Sequence, residues 1–118
     1  MREQAVNKRR IGSRYEELAA RYLGEHGLRI LDQNFRSYQG EIDLICRDGR
    51  MLVFVEVKYR KDNKKGDPAE AVSYIKQQHI RDTARYYLYS HRYGEDTLCR
   101  FDVVAILGTE VRWIKNAF

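Results

Sequence analysis

The chain is poor in cysteine and proline: two cysteines, Cys46 and Cys99, and one proline among 118 residues. Neither a CxxC pair nor a Cys/His spacing occurs, which argues against a zinc site. Cys46 lies inside an apolar strand-like segment and Cys99 just before another, so both read as buried thiols of a reducing cytosol. There is no repeat, linker or low-complexity segment. No apolar run approaches the length of a membrane span, and the opening "MREQAVNKRR" lacks the apolar centre of a signal peptide. These absences predict a cytoplasmic protein with no membrane partner.

What is present suits one domain. Hydrophobic residues make up 43%, enough for a core without staples. The 22 Lys+Arg outnumber 17 Asp+Glu for a formal net charge of +5, which permits a nucleic-acid or anionic partner without requiring one. Residues 1–10 are polar and basic and are expected to form a mobile arm; residues 11–118 are expected to form a single domain.

Along the chain, Tyr15, Leu18, Ala19, Tyr22 and Leu23 recur at helical spacing, predicting a helix from near Ser13 that stops at Gly27. Leu28–Arg36 reads as a first strand. "GEIDLICRDGRMLVFVEVKYR" (Gly40–Arg60) reads as a hairpin turning at Asp48-Gly49. Arg60–Asp67 is a charged loop. Asp67-Pro68-Ala69-Glu70 resembles a helix start, with Asp as N-cap and Pro at the first position. The helix is predicted to run to about Ser90, burying Val72, Ile75, His79, Ile80, Thr83, Ala84, Tyr87 and Leu88. "RFDVVAIL", a turn at Gly108-Thr109, and "VRWIK" close the order α-β-β-β-α-β-β. An α/β fold with one mixed sheet and helices packed on it is the simplest outcome.

The hairpin places its charges. With Asp48-Gly49 as the turn, Ile45 faces Leu52, Asp43 faces Phe54 and Glu41 faces Glu56. Ile42, Leu44, Cys46, Val53, Val55 and Val57 share one apolar side. Glu41, Asp43, Glu56 and Lys58 gather on the other, expected to face the first helix, with Asp43 and Glu56 as diagonal neighbours roughly 7–8 Å apart. Carboxylates crowded beside an apolar surface repel one another, and a divalent cation removes that cost. Two carboxylates plus waters suit Mg²⁺. The same residues also fit a solvated sheet face in which Lys58 pairs with an acid.

These residues carry a family resemblance. "GEIDLI" followed by "VFVEVKYR", with "GSRYEELAARYL" before and "RFDVV" after, resembles the bacterial YraN family over about Gly12 to Leu107. That family is similar to archaeal Holliday junction resolvases and to the restriction-endonuclease-like nucleases, whose shared motif is an Asp followed by Glu-x-Lys. Here the motif corresponds to Asp43 and Glu56-Val57-Lys58. The resemblance implies a restriction-endonuclease-like fold with an α-β-β-β-α-β core. It also implies Mg²⁺-dependent (or Mn²⁺-dependent) phosphodiester cleavage of nucleic acid, DNA first, with the form (duplex, branched or single-stranded) and RNA left open. Resolvases cut two symmetric strands as dimers, so the resemblance allows a homodimer.

Roles follow from that reading. Asp43 and Glu56 hold the metal, with the Val57 carbonyl as a further ligand, and Lys58 acts on the attacking water or the phosphate. The superfamily often adds an acid from the first helix. "SRYEE" offers Glu16 and Glu17, and Glu41 is a third candidate. Glu16 is preferred because it lies in line with Ala19, Ala20 and Leu23, although Ser13-x-x-Glu16 also fits a capping box. Lys76, on the edge of the second helix's stripe, matches a helix lysine of the related resolvases and is expected to meet the nucleic acid, and it also fits a lysine whose stem covers apolar surface. Arg60, Lys61, Lys64 and Lys65, with Lys8, Arg9 and Arg10, are expected to meet phosphates. His79 reads as a packed residue and Asp102 is given no role. Two other functions fit the same pattern: a nucleic-acid-binding protein of nuclease fold without catalysis, and a protein-interaction module.

Overall fold

The computed structural model describes the backbone of residues 2–70 and 72–118, and the side chains of residues 14–70 and 72–118. Helix α1 (Arg2–Glu25) leads into β1 (Arg29–Ser37), β2 (Gly40–Asp48) and β3 (Met51–Arg60). A 3₁₀ turn (Pro68–Glu70) precedes α2 (Tyr74–Ser90), and β4 (Cys99–Leu107) and β5 (Glu110–Ile114) complete the chain. The five strands form one mixed sheet in sequence order. Only β3 and β4 are parallel, and α2 makes the crossover between them. Each helix therefore covers one face of the sheet, and β2 through β4 are buried on both.

Under α1, Ala19, Leu23, Leu44, Cys46, Val53, Val55, Val104 and Ile106 form one core cluster. Under α2, Ile42, Ile45, Leu52, Phe54, Ile80, Ala84 and Tyr87 form the other. Full burial of each such side chain contributes about 1.5–3 kcal/mol, which is why the two clusters hold the sheet between the helices.

Helix α1 starts earlier than the sequence reading placed it. Its backbone begins at Arg2 rather than Ser13 and takes in most of the segment set apart as an arm. Glu3, Gln4, Ala5, Lys8, Arg9 and Arg10 are good helix formers, and no glycine or proline interrupts them before Gly12. The side chains of Lys8, Arg9 and Arg10 lie outside the described residues. Because the helix runs through Ser13, that residue is not an N-cap, and the capping-box account of Glu16 falls. The far end is as expected: Gly27 takes φ +97°, and the Leu28 N–H returns to the Leu23 carbonyl at 3.0 Å.

Two features of the hairpin depart from expectation. The turn residues are Gly49-Arg50, with Asp48 opposite Met51, so Ile45 faces Phe54 instead of Leu52. Gly49 at φ +61° supplies the left-handed backbone the tight turn needs. The slip is two residues, so side chains keep their faces. Continued one residue beyond Leu44↔Val55, this register sets Asp43 directly opposite Glu56 rather than diagonal to it. The second departure is Ile42, which packs under α2 and not with Leu44. Asn34, at φ +54°, sits in β1 between the pairs Gln33↔Leu44 and Phe35↔Ile42. A left-handed residue there rotates both strands, so their faces exchange at Asp43.

Helix α2 also starts later than predicted. Asp67 caps only the 3₁₀ turn, accepting from the Ala69 N–H at 2.9 Å. The α-helix has its own cap, Ser73, whose Oγ accepts from the Lys76 N–H at 3.2 Å. The new start leaves Val72 outside the helix, half-buried against the core, while Ile75 and His79 are exposed. Ile80, Thr83, Ala84 and Tyr87 form the buried stripe. Cys46 is buried as expected, whereas Cys99 is half-buried, and both are free.

Candidate functional site

The exchange of faces at Asp43 brings three elements together. Asp43 (β2) and Glu56 (β3) are 7% and 4% exposed, unusual burial for carboxylates. Asp43 Oδ2 accepts the Val57 N–H at 2.8 Å. Glu56 Oε1 is paired with Lys76 Nζ from the first turn of α2 at 2.8 Å and with Lys58 Nζ at 3.6 Å. α2 approaches this end of the sheet closely because Gly40 has no side chain; a Cβ there would stand 3.3 Å from Thr83 Oγ1 and 3.4 Å from His79 Cβ.

From the other face comes Glu16 of α1. It is half-buried and hydrogen-bonded by the Asn34 side chain, and it senses the charges of Glu41 and Glu56. Glu17, one residue on, is exposed. Glu41 lies outside the cluster, paired with Arg36 at 3.1 Å, although its charge still reaches Asp43. The structure thus gathers Asp43, Glu56, Lys58, Lys76 and Glu16, and leaves Glu17 and Glu41 outside.

The electrostatics reflect crowding. Burial, then the Glu56 charge, pushes the Asp43 carboxyl up to about 8 against the pull of the Val57 N–H. Burial also raises Glu16, opposed by the Asn34 hydrogen bond. Burial and the adjacent Lys76 lower Lys58. For Lys76, burial works against the charge, but the Glu56 contact outweighs it and the pKa is raised.

The donor set can be tested against Mg²⁺, which takes one or two carboxylates and completes its shell with water. Asp43 and Glu56 supply two carboxylates. Among the described residues, no protein donor reaches Asp43 Oδ1 or Glu56 Oε2, which leaves one oxygen of each for an ion. Among the described residues there is no group of three or more His, Cys, Asp or Glu side chains arranged for a metal. The set therefore fits a water-rich, two-carboxylate ion and not a closed structural site.

The basic loop lies elsewhere. Tyr59, Arg60, Lys61, Asp62, Lys64 and Lys65 line a separate open cavity of about 370 Å³. Arg60 is four residues beyond Glu56 on β3, roughly 13 Å along the strand.

Three functional-looking residues escaped the sequence reading. Asn34 creates the rotation and touches Glu16; asparagine's tolerance of left-handed backbone was its one visible signal. Asp102, given no role from the sequence, pairs with Arg100 at 3.1 Å along an unbroken β4 ladder, the arginine side chain spanning two residues of strand. Asp102 also accepts from Trp113 Nε1 and the Asn116 N–H, both at 2.9 Å, and Arg100 reaches Asp48 at 2.8 Å. Asp102 lies opposite Val55, one residue from the Glu56↔Val103 pair, but in phase with Val104 and Ile106 on the α1 face, whereas Glu56 meets Lys76 of α2.

Among the described residues, no helix is long and apolar enough to cross a membrane. Comparison with known proteins agrees with the motif reading at the level of family. The model of "Uncharacterised protein family UPF0102" matches residues 15–106. A UPF0102 protein of Lachnoclostridium phytofermentans is 51% identical over 113 residues, covering 96% of each chain. One from Chromohalobacter salexigens is 47% identical over 116 residues, 95% of this chain and 93% of its own. A third, from Shewanella amazonensis, is 48% identical over 107 residues, 91% of this chain and 97% of its own. Matches of this extent, spanning both helices and the acid–lysine cluster, show that the chain belongs to the UPF0102 (YraN) family.

Proposed function

We propose that this protein is a metal-dependent nuclease of restriction-endonuclease-like fold that hydrolyses phosphodiester bonds of DNA, branched DNA among the forms to be tested. The observation that carries the reading is the burial of Asp43 within reach of the Glu56 charge, with Lys58 and Lys76 on the Glu56 carboxylate. Buried, mutually repelling acids beside lysines of shifted pKa are typical of sites built for charge chemistry.

Asp43 and Glu56 would hold Mg²⁺ or Mn²⁺. When bound, such an ion polarises a phosphate and lowers the pKa of a coordinated water. Lys58, on the same face as Glu56 and 3.6 Å from its Oε1, is placed to position the attacking water or to balance charge on the phosphoryl oxygens as the P–O bond breaks. Glu16 orients water on the α1 side. Arg60, Lys61, Lys64 and Lys65 would hold the strand by its phosphates. A homodimer would supply the second cut of a symmetric junction.

One observation favours a second reading, a DNA-binding protein without catalysis: Glu56 already has two lysine partners. Incubation of end-labelled linear, nicked and four-way DNA with Mg²⁺ or Mn²⁺ separates the two. Cleavage lost in Asp43→Asn and Lys58→Ala supports the nuclease. Salt-dependent binding with no product from any substrate supports the second reading.

A further inference from the structure

The two lysines on Glu56 are not equivalent. Lys58 lies two residues away on the same strand, so its side chain is fixed on the same face by the alternation of β3. Lys76 comes from the first turn of α2, and its side chain is 42% exposed against 22% for Lys58. It makes the shorter contact, 2.8 Å against 3.6 Å, yet it is the one with an open path to solvent. Both ammonium groups share Oε1, so the single negative charge of Glu56 is already matched twice. Nothing at that carboxylate calls for another positive charge, and a cation arriving at Oε2 would stand one carboxylate's width from the Lys76 ammonium and be repelled by it.

We infer that Lys76 is the resident cation of this site: it holds Glu56 when no metal is bound, and metal loading drives it outward, where its freed ammonium meets a phosphate of the substrate. This rests on the metal-site reading above. It makes Lys76 a positioning residue that couples two ligands. An oxyanion that draws Lys76 outward must tighten metal binding, and by reciprocity the metal must tighten binding of the oxyanion.

The test is Mn²⁺ affinity, followed by the electron paramagnetic resonance of free Mn²⁺, for the wild type, Lys76→Met and Lys76→Arg, each with and without sulfate as an inert oxyanion. Loss of one charged hydrogen bond that competes with the metal should tighten Mn²⁺ binding in Lys76→Met roughly tenfold or more. Lys76→Arg keeps the charge and should stay near the wild type. Sulfate should tighten Mn²⁺ binding in the wild type and have no effect in Lys76→Met. Unchanged or weaker binding in Lys76→Met overturns the inference, because Lys76 would then be a bystander or a support for Glu56. Equal tightening in Met and Arg variants also overturns it, because geometry rather than charge would be the cause. If Mn²⁺ binds neither the wild type nor either variant, the metal-site reading itself falls, an outcome distinct from the first two.

Discussion

Asp43→Asn tests the buried carboxyl directly. In the fold, this acid has its pKa pushed up to about 8 from an ordinary value of 3.8, first by burial and then by Glu56. A raised pKa means that the folded protein binds the proton more tightly than the unfolded chain does. The stability this confers is intact below pH 4, declines as pH rises between about 4 and 8, and is gone above the folded value. Fully ionising the group in the fold costs about 5–6 kcal/mol, which is the ceiling of the effect. Asparagine mimics the neutral acid and can still accept the Val57 N–H through its amide oxygen, so it should not titrate while keeping the local bond. The variant should therefore exceed the wild type by only about 1 kcal/mol at pH 4.5 and by several kcal/mol at pH 8.5 without metal. Urea denaturation followed by the single tryptophan, Trp113, at pH 4.5, 6.5 and 8.5 measures the difference, and the contributions of other groups cancel between the two proteins. Parallel stability curves for wild type and variant, or an advantage for the variant that shrinks as pH rises, would refute the reasoning. Under the proposed function, Mg²⁺ must displace this proton, so its stabilisation of the wild type should be larger at pH 8.5 than at 6.5 and weak in the variant at both.

Lys58→Ala should leave Mg²⁺ binding largely intact in a thermal-shift titration and abolish DNA cleavage, because its role is with the reacting phosphate. Glu16→Gln should weaken Mg²⁺ binding, whereas Glu17→Gln should change only helix stability by a few tenths of a kcal/mol; equal effects on metal affinity would remove Glu16 from the site. Asp102→Ala takes the acceptor from Arg100 Nε, Trp113 Nε1 and the Asn116 N–H while Arg100 keeps its Asp48 pair, and should cost about 3–5 kcal/mol in denaturant unfolding with no change in Mg²⁺ affinity. Neutralising Lys61, Lys64 and Lys65 together should lower the salt dependence of DNA binding by about three phosphate contacts and leave thermal stability nearly unchanged.

The order of elements was legible because alternation and helical spacing are local. That Glu56 and Lys58 share a side of the hairpin was legible for the same reason, and it survived an error in the turn because a slip of two residues preserves every face; which helix covers that side was not, since Glu56 meets α2 and not the first helix. Glu16 rather than Glu17 on the covered side also followed from helical phase alone. Other features were not local. The start of α2 depended on two competing caps, and Ser73 rather than Asp67 begins the α-helix because the chain first has to turn away from β3. Ile42 changed faces because one left-handed residue, Asn34, lies in the neighbouring strand, which no periodicity within β2 reports. The pairing of Lys76 with Glu56 required the parallel crossover, since only the fold of α2 back over β3 puts residues twenty apart in sequence within 2.8 Å. Sequence by itself determined that Glu56 and Lys58 share a face, but it set Glu41 beside them, and Glu41 pairs with Arg36 outside the cluster. Only the tertiary structure decided which of them touch and how far from water they stand, because contact and desolvation depend on elements that meet across the sheet.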